Sequence, residues 1–550
     1  MIYSIARKII CWIRLQYYRT KERIHRFLMR HIGMQGIRLL RKRMQFDVLL
    51  CSFVKAPKGC SRFVCIEGCW DNPHHWLRLA IFGKLLQEHF DADLLGLVTP
   101  AQGWTSRRSL RAVGAIRVVD ALQKRIFRAQ AEQKTRELLQ MVRTGADVLR
   151  LELFGGVPAS RLYDTLLKRQ FREQLCLYDE TFLPSFQNFI ESCLSLEALF
   201  SQLEIACVLT SHSVGSPYSA LVWIALQRGI PVYLVDNYCG SLRGSYLSEL
   251  GHLYAPIDSP DPSYRTTLSS SLRQGLAKVG FDYLQRRFFG NTLDLGGRLA
   301  FGGSSETFSK EALCAQVDLD PSRPLACIMM CNWFDYPHTY GLYHFENIVD
   351  WISFTVKTIA EDIRANWLIK THPAEQRWYG GANVRDMLGS LPPHIRYFPD
   401  EVHATTLFDA AIGIVTPHGT CGIEYSAMGK NVLLAGSSFY SDWGFCQVPV
   451  SREDYASRLL ALPHLSSLAQ PEIQDARVYA ALYFGLPSDT PEGYQFPCDT
   501  NRFALLNTLP DFLARHAAGL HWEEQAFSQW LASGLRSYHA FKVARSLGSR

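Results

Sequence analysis

The sequence predicts an α/β protein of two doubly wound domains facing a central cleft, with a basic helical segment in front. Three observations predict it. A chain of 550 residues exceeds one core, and 47% hydrophobic with 20% charged residues describes a folded protein. Short apolar runs alternate with helix-length segments in residues 46–250 and again in 311–500, a pattern that builds parallel sheets. Between them, residues 251–310 hold Pro256, Pro260, Pro262 and the run Gly302-Gly303-Ser304-Ser305, which suits an interdomain connection.

The head, residues 1–45, is set apart by charge. Residues 1–44 hold twelve Lys or Arg against the single acid Glu22, a net +11, which leaves −4 of the total +7 for the rest. Ile5, Ile9, Trp12, Ile13, Tyr17, Ile24, Phe27 and Leu28 recur near helical spacing among those cations. Aromatics and aliphatics interleaved with Lys and Arg suit a helix on an anionic membrane surface, and equally a helix packed on the first domain with a solvated basic face. No nucleic-acid-binding fold follows the basic run, so nucleic acid is not an expected partner. No run approaches the roughly 18–20 apolar residues of a spanning helix, and no secretory leader is evident. The expectation is a cytoplasmic protein, peripheral on the inner membrane. Fifteen cysteines without C-x2-C pairing read as reduced core thiols.

In the first domain, 62–66, 93–98, 115–119, 206–210 and 230–235 read as strands, with helices over 76–89 and 218–228 and a long helical region over 121–200. The second domain opens after Asp318-Leu319-Asp320-Pro321. It continues with a strand over 325–330, a polar turn from Cys331 to His338 and a helix over about 345–363. The tail, 501–550, has helical pattern around Leu505–Arg515 and His521–Arg545.

Two turns in the second domain concentrate the chemistry. Leu368-Ile369-Lys370-Thr371-His372-Pro373 is a strand ending in a basic, imidazole-bearing turn, and Pro373 forbids further pairing. Ile412-Gly413-Ile414-Val415-Thr416-Pro417-His418-Gly419-Thr420-Cys421-Gly422-Ile423-Glu424 is a strand, a small-residue turn and a helix start, with Thr420 the expected N-cap. Ligands bind at the carboxyl ends of parallel strands. Two such turns side by side, one with Lys and His and one with helix N–H groups, form a phosphate-sized pocket. There is no G-x-S-x-G elbow and no Walker A loop.

The pairing of Ile369-Lys370-Thr371-His372-Pro373-Ala374-Glu375 with Thr416-Pro417-His418-Gly419-Thr420-Cys421-Gly422-Ile423-Glu424 and Gly429-Lys430-Asn431-Val432 resembles the capsular polysaccharide biosynthesis glycosyltransferases. These are GT-B enzymes, with two Rossmann-like domains, that include bacterial β-Kdo transferases and are distantly similar to HP-motif sialyltransferases. The similar region spans about 325–445, and Asn347-Ile348-Val349-Asp350-Trp351 also resembles the family's pattern. The resemblance implies a metal-independent glycosyltransferase that moves a sugar from a nucleotide-sugar to a surface polysaccharide or lipid-linked glycan, with no cofactor. It gives His372 a donor-phosphate role, Gly419 and Thr420 a phosphate-loop role, and Glu424 a donor hydroxyl; Lys370, Glu375 and His418 complete the expected donor set. The family loop is often Ser-rich, and here it reads His-Gly-Thr-Cys, so a CMP-Kdo-like donor and others stay open.

An inverting transfer needs a base from the first domain. Glu67, Asp71, His74, His75 and His212 all follow predicted strands, and Asp71 and His212 rank first beside His372 as catalytic residues. The D-x-D pairs Asp91/Asp93 and Asp318/Asp320 read as solvated turns, so no metal is expected. Two further readings fit the same turns: a teichoic-acid-type polyol-phosphate transferase with a CDP-activated donor, and a non-catalytic GT-B scaffold of a polysaccharide export complex.

Overall fold

A computed structural model describes residues 34–546 apart from 123–124, 239–240, 255–258, 293–294, 303–305, 373–382, 485–493, 495 and 497–504. Two separate sheets organise it. The first contains β1 (Arg62–Glu67), β2 (Asp93–Leu97), β3 (Ala115–Val119), β4 (Glu204–Thr210), β5 (Val232–Tyr238) and β6 (Ser241–Leu247), in the order β3-β2-β1-β4-β5-β6. The second contains β7 (Leu325–Met329), β8 (Asn366–Lys370), β9 (Ile395–Tyr397), β10 (Gly413–Thr416) and β11 (Asn431–Leu434), in the order β9-β8-β7-β10-β11. Each sheet starts at its centre, runs outward to one edge and then restarts on the other side. Each therefore has a switch point, beside β1 and β4 in one and beside β7 and β10 in the other.

The central strands are apolar throughout because both faces are covered. Val64 and Ile66 face the helix Pro73–Phe90 and the tail, while Cys65 between them faces the helices Ala159–Gln170, Phe182–Gln202 and Tyr218–Gln227. Helix Pro73–Phe90 starts where Asn72 accepts a bond from His74 N and Pro73 presets the first turn; it stops at Asp91 in the left-handed region. All pairs are parallel except β5 with β6. The sequence reading missed β6, an edge strand with Gly244 at its middle. That glycine lies 3.5 Å, at its would-be Cβ, from the Tyr538 side chain.

Other expectations needed correction. The boundary at 45/46 falls inside one helix, Met34–Leu50, which packs Phe46 and Leu50 into the first domain. Residues 1–33 of the basic head lie outside the described residues. The connection 251–310 is more than a link: helix Ser270–Phe288 lies against Gln470–Phe484 so closely that a Cβ on Gly280 would sit 1.9 Å from the Arg477 carbonyl. Its Leu276, Leu284 and Phe288 belong to the second domain's core. The tail returns to the first domain, with Phe527 against Phe82 at 4.3 Å between ring centres. There the expected helix His521–Arg545 breaks at Gly534, φ 70°, into Ala517–Ser533 and Tyr538–Ser546.

Asp93 is not a solvated turn either. It is fully buried and accepts from the backbone N–H groups of Lys58, Gly59 and Cys60. All described cysteines are free thiols. Two doubly wound domains with a returning tail form the expected GT-B arrangement. Among the described residues no helix is long and apolar enough to cross a membrane.

Candidate functional site

At the first switch point, Glu67 ends β1 and is wholly buried. Burial alone would push its carboxyl up, but His75, the Cys69 amide and His212 outweigh that and hold it below the usual range. Oε2 accepts from Cys69 N at 2.8 Å, and Oε1 lies 3.0 Å from His75 Nε2 and 3.1 Å from Ser211 Oγ. Ser211 Oγ in turn lies 2.6 Å from His212 Nδ1. Ser211 and His212 follow β4 directly. His212 stands between Trp70 and Tyr218, with ring centres 5.1 and 4.9 Å away. Burial lowers its pKa, against the opposing pull of Glu67 and Asp236.

At the second switch point, Lys370 ends β8 and His372 follows two residues later. Burial lowers the pKa of both, against the opposing pull of Cys327 and Asp400 on Lys370 and of Asp335 on His372. The Lys370 ammonium lies 5.1 Å from the Phe398 ring centre. His418 leaves β10 beside them, with burial driving its pKa down to about 4 and Nε2 sealed from water without a hydrogen bond. Its loop is tightly fixed. The Tyr440 hydroxyl donates to the Gly419 carbonyl at 2.6 Å, the Gly419 amide reaches Thr416 Oγ1 at 3.3 Å, and Ser438 Oγ donates to the His418 carbonyl at 3.2 Å. Only glycine fits at 422, where a Cβ would lie 2.1 Å from the Tyr440 hydroxyl.

The segment from Asn332 to Asn347, which leaves β7, joins the two halves. Its Asp335 pairs with Lys168 of the first domain at 2.7 Å and draws on both His372 and His418 electrostatically. Tyr336 lies against Gly215, three residues beyond His212, where a Cβ would meet its hydroxyl at 2.6 Å. Buried Asp164 on helix Ala159–Gln170 clamps the same segment. It accepts from His338 Nδ1 at 2.8 Å, Thr339 N at 2.7 Å and Thr339 Oγ1 at 2.8 Å. The carboxyl edges of the two sheets therefore face each other across one short bridge.

The expected site residues fare unequally. Lys370, His372, His418 and Gly419 come together at the second switch point, and His212 stands at the first. Asp71 does not join it: its carboxylate pairs with Arg43 at 2.8 Å and accepts from Trp76 Nε1 at 3.0 Å, so it anchors the head helix. Glu424 points into the protein, at 3% exposure, and pairs with Arg287 at 2.8 Å. Thr420 is in the α-helical region and makes no side-chain capping bond; the Tyr440 hydroxyl holds the turn at the Gly419 carbonyl instead. Glu375 lies outside the described residues. Asp164, Lys168 and Ser211 were missed; the signal available for Ser211 was its place beside His212 at the end of β4. Among the described residues no group of three or more His, Cys, Asp or Glu is placed to hold a metal ion.

No family model and no curated protein matches the chain. Solved structures similar to it include the β-Kdo 2,4-transferase of Thermosulfurimonas dismutans KpsC, at 14% identity over 50% of this chain and 79% of that one, TM-score 0.33. The β-Kdo 2,7-transferase of the same KpsC gives 11% identity over 57% and 90%, TM-score 0.30. The calicheamicin glycosyltransferase CalG4 gives 14% over 83% and 99%, TM-score 0.24. At these values the two-sheet architecture rests on the chain's own strand order.

Proposed function

We propose that this protein is a GT-B glycosyltransferase that moves a sugar from a nucleotide-sugar to a surface polysaccharide or lipid-linked glycan. One observation supports it above the rest: a buried acid–serine–histidine chain lies at one switch point, a lysine and two histidines lie at the other, and the 332–347 segment touches both through Tyr336 and Asp335. Donor phosphate bound beside Lys370 and His372 would add negative charge that favours the cationic form of each. As the bond from the anomeric carbon to the phosphate oxygen breaks, Lys370 and His372 stabilise the leaving nucleotide. The acceptor hydroxyl gives its proton to His212 Nε2 as its oxygen bonds the anomeric carbon. The basic head, +11 over residues 1–44, suits an anionic membrane surface where such acceptors are presented.

A thermal-shift screen of CMP-, CDP- and UDP-activated compounds, followed by a transfer assay, tests the reading. A nucleotide-sugar should stabilise the protein and be consumed with acceptor. Stabilisation by CDP-glycerol or CDP-ribitol alone would favour polyol-phosphate transfer, and no stabilisation by any would favour a scaffold.

A further inference from the structure

We infer that Glu67 and Ser211 are positioning residues that fix the tautomer of His212, so that its Nε2 is the proton acceptor. The inference rests on the transferase reading for its purpose, but its geometry stands alone. Glu67 is a buried carboxylate without a proton, and its Oε1 lies 3.1 Å from Ser211 Oγ. A serine hydroxyl has one hydrogen to give and lone pairs to receive. If Ser211 gave its hydrogen to His212, two lone-pair-bearing oxygens would face each other inside the protein. The hydrogen therefore goes to Glu67. The 2.6 Å contact between Ser211 Oγ and His212 Nδ1 then requires Nδ1 to be the donor. A neutral imidazole that donates from Nδ1 has its free lone pair on Nε2. Nε2 makes no hydrogen bond among the described residues, and the ring is partly exposed between Trp70 and Tyr218.

His75 completes the device. Its Nε2 lies 3.0 Å from both the Glu67 carbonyl oxygen and Oε1. A carbonyl accepts only, so this nitrogen holds the hydrogen and donates to the acid. Glu67 then has donors from Cys69, His75 and Ser211, which keeps it ionised without solvent. On transfer, the acceptor O–H bond breaks and its proton joins Nε2. The resulting imidazolium keeps its Nδ1 proton on Ser211 and is stabilised through it by the Glu67 charge. The groups acting on His212 are Glu67, Asp236, His75 and Arg78. Glu67 reaches it through a hydrogen-bonded bridge, Ser211.

The test is long-range proton–nitrogen NMR on the full chain with nitrogen-15 histidine, His212 being assigned by its absence from His212→Gln. The expected wild-type signal is an Nδ1–H imidazole. Ser211→Ala should shift it toward the Nε2–H form, and Ser211→Thr, which keeps the hydroxyl, should restore it. Glu67→Gln should move the acid limb of the transfer rate to lower pH, because it removes a charge that favours the imidazolium. Ser211→Ala should cut kcat on the order of 100-fold with donor KM unchanged. A wild-type Nε2–H signal overturns the inference. So does a His212 signal unmoved in folded Ser211→Ala. If no nucleotide-sugar is turned over, the transferase reading fails while the tautomer result still decides this one.

Discussion

Replacing Arg287 with methionine should unlock the helix that follows the second donor turn. Arg287 Nε donates to Glu424 Oε1 at 2.8 Å, with the two side chains 3% and 4% exposed, and the guanidinium lies 4.7 Å from the Phe484 ring centre. Removing one partner of a buried ion pair strands the other, which costs about 3–5 kcal/mol. For a domain of roughly 200 residues that corresponds to a fall on the order of 10 °C in the melting temperature. Arg287→Met combined with Glu424→Leu should recover most of the loss, since an apolar pair can replace a buried ionic one. Thermal melts followed by circular dichroism on both single variants and the double complete the cycle. If Glu424→Leu instead raises the donor KM without lowering the melting temperature, Glu424 reaches the donor and its role as a brace is refuted.

Gly422→Ala forces a Cβ to 2.1 Å from the Tyr440 hydroxyl that holds the Gly419 carbonyl. Overpacking there should cost about 1–3 kcal/mol and weaken donor binding, with partial recovery in Gly422→Ala/Tyr440→Phe, measured by calorimetry. Burial holds His418 at about 4, below its ordinary value of 6.5. The unfolded chain therefore binds the proton first, and stability is lost as pH falls from about 6.5 toward 4. Melting curves of His418→Gln should be flatter with pH than those of the wild type over that window. Deleting residues 1–33, which hold eight of the head's twelve cations, should abolish co-sedimentation with vesicles rich in anionic lipid. Unchanged co-sedimentation would refute the membrane role.

The sequence made the sheets legible because their strands are apolar on both faces and end at glycine, proline or polar turns. β10 and β11 read cleanly between Ile412 and Leu434 for that reason. β6 and β9 were lost: one is an edge strand with a glycine at its middle, and the other, Ile395–Tyr397, has only three residues. The donor half was legible because Lys370, His372 and His418 each follow a strand, and strand ends converge in a parallel sheet. Contacts distant in sequence were not. Asp71 looked like a base because it follows β1, yet Arg43 from the head helix takes it. Glu424 looked like a ligand for a sugar hydroxyl until a helix 137 residues away supplied Arg287. Glu67 and Ser211, 144 residues apart, meet only because β1 and β4 are neighbours at the switch point.

The central claim is that Lys370 and His372 receive the donor's phosphates. Burial depresses both pKa values, and an arriving anion favours their charged forms. Calorimetry of a nucleotide-sugar in two buffers of different ionisation enthalpy, near pH 7, measures the protons taken up. The account predicts net uptake in the wild type and in His212→Gln, and loss of both uptake and affinity in His372→Ala. Equal affinity and equal proton uptake in His372→Ala would contradict it.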